Sequence, residues 1–289
     1  MTPVLITGCK GQLGSEIQRI SSKFPEMSFI FTDLEELNIT RTHEIQSFLD
    51  SMPVKFLVNC AGYTAVDLAE DEREMAELLN SNATGYLAKI SAERGIQLIH
   101  ISTDYVFDGN KNHPYLEDDP VNPQTVYGKS KLRGEEALQQ TGKGIIIRTS
   151  WLYSSFGNNF VKTILRLSGE REQLNVVFDQ TGCPTYARDL AMAILDMIRI
   201  EIKQKKSPRY DIYHFSNQGM CSWYEFATSI IDFAGRGCKI IPVESKDYIT
   251  KAKRPRYTVM SKEKITGRYD LHIPYWKDSL AACINEITA

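Results

Sequence analysis

The chain has no excess charge of either sign: 34 lysines and arginines face 36 aspartates and glutamates, a formal net charge of −2. A broad electrostatic surface for nucleic acid is thereby excluded, although a focused basic pocket is not. Cysteine is sparse and scattered. The six thiols (Cys9, Cys60, Cys183, Cys221, Cys238 and Cys283) form no CxxC pair and do not cluster with the five histidines. That argues against a zinc site and a disulfide scaffold, and it fits a reducing compartment. Long apolar runs are missing too, because Asp196 splits even the Leu190–Ile200 stretch, so no membrane span is expected. The opening residues offer only Val4-Leu5-Ile6 before Thr7-Gly8, without a basic region or a small-residue cleavage site. No internal repeat and no low-complexity tract occurs. The expectation is a cytoplasmic protein with no metal and with neither nucleic acid nor membrane as a partner.

What is present is a composition able to bury a core: 42% hydrophobic and 24% charged residues over 289 positions. In the first half, short apolar runs alternate with helical patterns, the signature of a parallel sheet with crossover helices. The runs predict strands at Val4–Thr7, Phe29–Thr32, Phe56–Asn59, Leu98–Ser102 and Gly144–Arg148. Helices are predicted at Gln12–Ser22, Thr42–Asp50, Arg73–Arg94 and Val126–Gln140, and later at Ala187–Lys203, Trp223–Phe233 and Trp276–Glu286. The period breaks after Trp151, and the polar stretch Lys203–Arg209 reads as a linker. The fold class is therefore α/β, a doubly wound parallel sheet with a smaller C-terminal lobe interleaved with it. Residues 1–151 form the nucleotide-binding unit, and residues 152–289 form the substrate lobe, from which the chain is expected to re-enter the sheet.

The first predicted strand runs into Gly8-Cys9-Lys10-Gly11-Gln12-Leu13-Gly14 and then into a helix. Glycines at this spacing allow a tight turn, close approach of backbone to a pyrophosphate, and close packing of helix on strand. The free N–H groups and the dipole of the helix then face the phosphates. An acid is expected about 20 residues on, and Asp33 follows the second strand. Its carboxylate suits the adenosine ribose hydroxyls and leans toward NAD, whereas Lys10 could pair with a 2′-phosphate or simply be a solvated cation. After the third strand, Asn59-Cys60-Ala61-Gly62-Tyr63-Thr64 supplies small residues at a sheet edge. Ala61 and Gly62 leave room for a cofactor there, and Thr64 is placed to bond it.

Tyr127-Gly128-Lys129-Ser130-Lys131 carries the chemistry. Tyr127 and Lys131 are four apart and share one helix face. An ammonium beside the phenol is expected to lower its pKa toward working pH and make Tyr127 a general acid/base, while Lys131 also bonds a ribose. Thr103, at the end of the preceding strand, is placed to polarise a substrate carbonyl. Asp104 is either a second substrate contact or a turn-forming residue.

These elements resemble the extended short-chain dehydrogenase/reductase superfamily. Over nearly the whole chain they are similar to its dTDP-4-dehydrorhamnose reductase family, through Ser102-Thr103-Asp104-Tyr105-Val106-Phe107-Asp108-Gly109, Arg148-Thr149-Ser150-Trp151, Gly157-Asn158-Asn159-Phe160 and Asp179-Gln180…Gly182…Pro184-Thr185. The resemblance implies a Rossmann-type fold, NADPH or NADH as cofactor, and a dTDP-sugar substrate. The implied reaction is reduction of the C4 ketone of dTDP-4-dehydro-L-rhamnose to dTDP-L-rhamnose. Tyr127 would donate the proton, Lys131 would tune it and Thr103 would polarise the carbonyl. By the same resemblance Trp151 lines the substrate pocket and Arg254, in Lys253-Arg254-Pro255-Arg256, meets the pyrophosphate; core packing and a surface cation are their ordinary alternatives. The family usually has alanine where this chain has Gly62. Acidic residues that hold a metal between subunits in some members are not matched here, so no metal is assigned and a homodimer is left open. A regulatory subunit of methionine adenosyltransferase resembles the same fold and binds NADP, so a non-catalytic role stays open at this point, as does a sister nucleotide-sugar epimerase or reductase.

Overall fold

A computed structural model describes residues 1–204 and 208–288; part of the stretch read as a linker thus lies outside the described residues. In chain order the elements of the first half are β1 (Thr2–Thr7), α1 (Gln12–Ile20), β2 (Met27–Thr32), α2 (Thr42–Ser51), β3 (Phe56–Asn59), α3 (Arg73–Glu77), α4 (Ala83–Arg94), β4 (Gln97–Thr103), α5 (Val126–Gln139) and β5 (Gly144–Thr149). The second half contributes β6 (Leu152–Tyr153), α6 (Phe160–Glu170), β7 (Gln173–Val177), β8 (Thr181–Gly182), β9 (Thr185–Tyr186), α7 (Ala187–Gln204) and β10 (Tyr210–His214). It ends with β11 (Cys221–Ser222), α8 (Trp223–Phe233), β12 (Lys239–Val243), α9 (Glu263–Tyr269) and α10 (Trp276–Thr288). The helix expected over Arg73–Arg94 is interrupted at Leu78–Asn82 by a wider π-turn.

Six parallel strands form the main sheet in the order β10-β5-β4-β3-β1-β2. Alternate side chains feed two cores because the inner strands are buried on both faces. Val4, Ile6, Phe56, Val58, Ile99, Ile145 and Ile147 pack on α1 and α7. Leu5, Leu57, Leu98 and Ile146 face α2, α4 and α5. The second half completes this layer, since β10 adds beside β5 and α7 packs on α1.

A third core belongs to the lobe, where α6, α8 and α10 enclose Val161, Ile164, Leu165, Phe226, Ile230 and Leu280. Local signals start its helices. The Asn159 side chain accepts from the Lys162 N–H at 3.1 Å to cap α6, and Ser222 with Glu225 forms a reciprocal capping box on α8. Neither α6 nor the parallel pair of β7 with β12 was expected from the sequence pattern.

Registers decide what reaches the carboxyl edge of the sheet. Leu5, Leu57 and Leu98 are neighbours across β1, β3 and β4, and two residues further on Thr7, Asn59 and His100 form the next row of the same face. Beyond that row, β4 ends at Thr103, opposite Thr149 of β5.

Candidate active site

The turn between β1 and α1 is a cradle that side chains would fill. Gly8 has φ +67°, and a Cβ there would lie 2.6 Å from the Ala61 nitrogen. A Cβ on Gly14 would lie 2.4 Å from the Gly8 carbonyl oxygen. Gly11 begins the helix in extended conformation with no side-chain cap, so the first-turn amides at Gln12, Leu13 and Gly14 remain for a ligand. The Leu13 side chain points into the core, while the Gln12 side-chain oxygen Oε1 accepts from Asn159 Nδ2 at 3.0 Å. These features suit a pyrophosphate lying on backbone rather than on side chains.

Asp33 sits where the second strand delivers it. Its carboxylate accepts from the Lys10 N–H and the Leu34 N–H, both at 2.9 Å, which fixes it beside the loop. The Lys10 ammonium pairs with Glu35 at 2.8 Å, and both side chains are exposed, so solvent and salt keep this contact weak.

At the edge of β3, Asn59 Oδ1 accepts from Thr7 Oγ1 at 2.7 Å and from the Ala61 N–H at 3.2 Å. Asn80, from the π-turn, binds both polar groups of the Tyr63 backbone and donates to Ser130 Oγ at 3.0 Å. It therefore ties the Ala61–Thr64 turn to α5. Gly62 is where that packing is tight: a Cβ would lie 3.0 Å from Asn80 Oδ1, so alanine is accommodated there only if Asn80 gives slightly. Thr64 is exposed.

Thr125 caps α5 by accepting from the Gly128 N–H at 3.0 Å, which starts the helix so that Tyr127 and Lys131 project toward β4. Tyr127 is buried, edge-on to Tyr105 with ring centroids 5.6 Å apart. Burial pushes its phenol up to about 12, opposed by the neighbouring Thr103 hydroxyl. Sequence reasoning expected the reverse, a phenol lowered by Lys131. The lysine instead turns to the Ile101 carbonyl, 2.5 Å from Nζ, and to His100 Nε2 at 3.3 Å. Burial lowers Lys131 to about 8. Thr103 Oγ1 accepts from the Tyr105 N–H and donates to Asp104 Oδ1 at 3.1 Å. Asp104 Oδ2 is buried without a hydrogen-bond partner among the described residues, and burial raises this carboxyl to about 6.

The second half encloses a cavity of about 600 Å³ whose walls include Phe160, Asn175, Gln180, Trp223, Tyr248 and Arg254. Trp151 stacks on Trp223 with ring centroids 3.5 Å apart and holds φ +47°, a costly conformation for a bulky residue. Gly182 is required beneath it, because a Cβ there would meet the indole at 2.6 Å. Arg254 reaches the cavity with its guanidinium forked onto Asp67 at 2.5 and 3.1 Å, so a ligand phosphate there would share it. Asn80, His100 and Trp223 were missed by sequence reasoning. For Trp223 the aromatic start of a capped helix was an available signal.

Among the described residues no cluster of three or more His, Cys, Asp or Glu side chains is arranged to hold a metal ion. No helix among them is long and apolar enough to cross a membrane.

The family described as the RmlD substrate binding domain matches residues 1–289. The chain is 40% identical over 287 residues to the spore coat polysaccharide biosynthesis protein SpsK of Bacillus subtilis, covering 99% of this chain and 98% of that protein. It is 39% identical over 287 residues to a dTDP-4-dehydrorhamnose reductase of Aggregatibacter actinomycetemcomitans, covering 97% of each. A dTDP-4-dehydrorhamnose reductase of Bacillus anthracis, solved in complex with NADP, superposes with a TM-score of 0.92 at 37% identity, covering 99% of this chain and 100% of that one.

Proposed function

The chain belongs to the RmlD substrate binding domain family, and from that membership we propose that it is an NAD(P)H-dependent oxidoreductase. The reaction is reduction of the C4 ketone of dTDP-4-dehydro-L-rhamnose to dTDP-L-rhamnose. The observation that carries this reading is convergence at one sheet edge. The glycine turn at Gly8 packs on Ala61, the neighbouring Gly62 adjoins Lys131, and Lys131 and Tyr127 meet the end of β4 at Ile101 and Thr103.

The cofactor is held by the backbone of Gly8, Gly11, Gln12, Leu13 and Gly14, by Asp33 at the adenosine ribose, and by Ala61, Gly62 and Thr64 along the sheet edge. When bound, the reduced nicotinamide supplies hydride to the ketone carbon. Lys10 is free to exchange its exposed Glu35 partner for a 2′-phosphate, so NADPH and NADH both fit.

Tyr127 donates the proton. A phenol held up to about 12 stays protonated through the neutral range, and a developing alkoxide is basic enough to take that proton. Thr103 places a hydroxyl beside Tyr127, where it polarises the same carbonyl oxygen. Lys131 holds the nicotinamide ribose. Asp104 and Trp151 contact the sugar, and Arg254 meets the pyrophosphate with the fork geometry that suits phosphate oxygens.

The test is incubation of the purified protein with the 4-keto-6-deoxy nucleotide sugar while the absorbance of NADPH or NADH is followed. Stoichiometric oxidation is expected, whereas an epimerase returns its cofactor to the starting state. No oxidation with either cofactor at enzyme excess refutes the reading.

A further inference from the structure

The row Thr7, Asn59, His100 lies buried one step beyond the row of leucines Leu5, Leu57 and Leu98. Nothing in the mechanism above uses His100, although its ring touches Lys131. The direction of each hydrogen bond in this row follows from donor and acceptor capacity. The Ala61 N–H can only donate, so the atom of Asn59 that receives it at 3.2 Å is the carbonyl oxygen. The amide nitrogen of Asn59 therefore faces His100 Nδ1, at 3.1 Å. An amide NH₂ can only donate, which requires a bare Nδ1 and leaves the ring proton on Nε2. That proton points at Lys131 Nζ, 3.3 Å away.

We propose that His100, fixed by Asn59 in the Nε2–H tautomer, is a positioning residue for Lys131: it donates to the lysine nitrogen, orients it, and sets the pH at which it takes up a proton. An ammonium group has no lone pair to accept this bond, so the bond is made by the amine form of Lys131, the major form above about pH 8, which donates in turn to the Ile101 carbonyl at 2.5 Å. The same polarity excludes His100 as a proton carrier, since Asn59 can neither take a proton from Nδ1 nor supply one. Burial acts in the same direction, keeping the imidazole well below its usual range and lowering Lys131.

Other elements around Lys131 bring few competing charges. From α5 come Tyr127, one turn before it, and Glu135, one turn after. Glu135 favours the ammonium form but is engaged by Arg148 of β5 and Ser102 of β4. From β4 come His100 and the Ile101 carbonyl, and the β3 turn contributes Gly62 beside Asn80, both uncharged.

The role in turnover rests on the reductase reading, whereas the tautomer does not, so the two are tested separately. Neutron diffraction from deuterated crystals of the full chain at pH 9 reads the hydrogens directly. Deuterium on His100 Nε2, none on Nδ1, and two on Lys131 Nζ are expected; deuterium on Nδ1, or three on Nζ, overturns the proposal. His100→Gln, which removes the fixed ring N–H, is then compared with wild type. The alkaline limb of kcat/KM is expected to move up by about one pH unit, with NADPH affinity by fluorescence titration changed less than about threefold. A folded variant that binds NADPH and keeps the wild-type alkaline limb overturns the role. Absence of turnover in wild type overturns the reductase reading and leaves the neutron result to decide the tautomer.

Discussion

Arg148 of β5 and Glu135 of α5 form a buried pair, with the two side chains 3% and 4% exposed. The guanidinium binds both carboxylate oxygens, through Nε at 3.0 and 3.2 Å and Nη2 at 2.7 Å. Ser102 Oγ adds a donor at 2.5 Å, and the Arg148 guanidinium also stands 5.1 Å from the Phe107 ring centroid. Arg148→Met keeps the volume and deletes the charge, stranding a carboxylate where water cannot reach it. Removing one partner of such a pair costs about 3–5 kcal/mol. An unfolding entropy of about 2.1 cal/mol/K per residue gives this chain a little over 0.6 kcal/mol/K, so Tm falls by roughly 5–8 °C. Removing both charges is different, because an apolar pair of similar volume is often neutral or stabilising. Arg148→Met combined with Glu135→Leu is expected to recover most of the loss. Thermal unfolding by circular dichroism at neutral pH measures both. A single variant within about 2 °C of wild type, or a double variant as unstable as the single, refutes the reasoning.

Tyr127→Phe is expected to lower kcat by at least about 100-fold while NADPH affinity, measured by fluorescence, stays close to wild type; a near-normal rate would remove Tyr127 as the acid. Gly8→Ala places a methyl group against the Ala61 nitrogen at positive φ, so it is expected to abolish NADPH binding in the same titration, and retained affinity would show that the loop is not the cradle. Asp104 has a folded-state pKa of about 6 against 3.8 for its ordinary value. The folded chain therefore binds the extra proton between those pH values, and stability from this group falls as pH rises from about 4 to 6. Asp104→Asn is expected to flatten that slope, gaining up to about 3 kcal/mol above pH 6, and unchanged pH dependence of urea unfolding would contradict it. Arg188 links the fully buried Glu16 of α1, at 2.9 Å, to Glu286 of α10. Arg188→Ala is expected to destabilise by about 3 kcal/mol, and an unchanged urea midpoint would exclude this clamp.

Much of the sheet was legible because its inner strands are buried on both faces and read as short unbroken apolar runs. Phe56–Asn59 has the same ends in sequence and structure, and the other four predicted strands are longer by one or two residues. The glycine turn was legible for a related reason: Gly8 and Gly14 answer to atoms nearby in the chain or in the next strand. Placement across distance was not. His100 reads as one more residue of an apolar strand, and only the register with Asn59 and the approach of α5 give it partners. Asn80 is hidden likewise, since a π-turn leaves no periodic mark within a helical pattern. Tyr210–His214 has too short a run to stand out, and it becomes a strand because β5 offers an open edge. The expected lowering of Tyr127 failed on direction rather than distance: helical spacing puts Lys131 on the same face, but its nitrogen points to Ile101 and His100.

The place of β10 beside β5 has a consequence for how the chain is made. Synthesis proceeds from the N-terminus, and the first 151 residues emerge with the outer edge of β5 bare. Until residue 214 follows, that edge is an unpaired template of Ile145, Ile146 and Ile147, open to strands of other nascent copies. The ion pairs of Arg19 and Arg188 with Glu286 close later still, when the last helix arrives. A ribosome pausing between residues 151 and 214 would therefore hold the chain in its most aggregation-prone form, and a fragment ending at 151 is expected to precipitate where the whole chain does not.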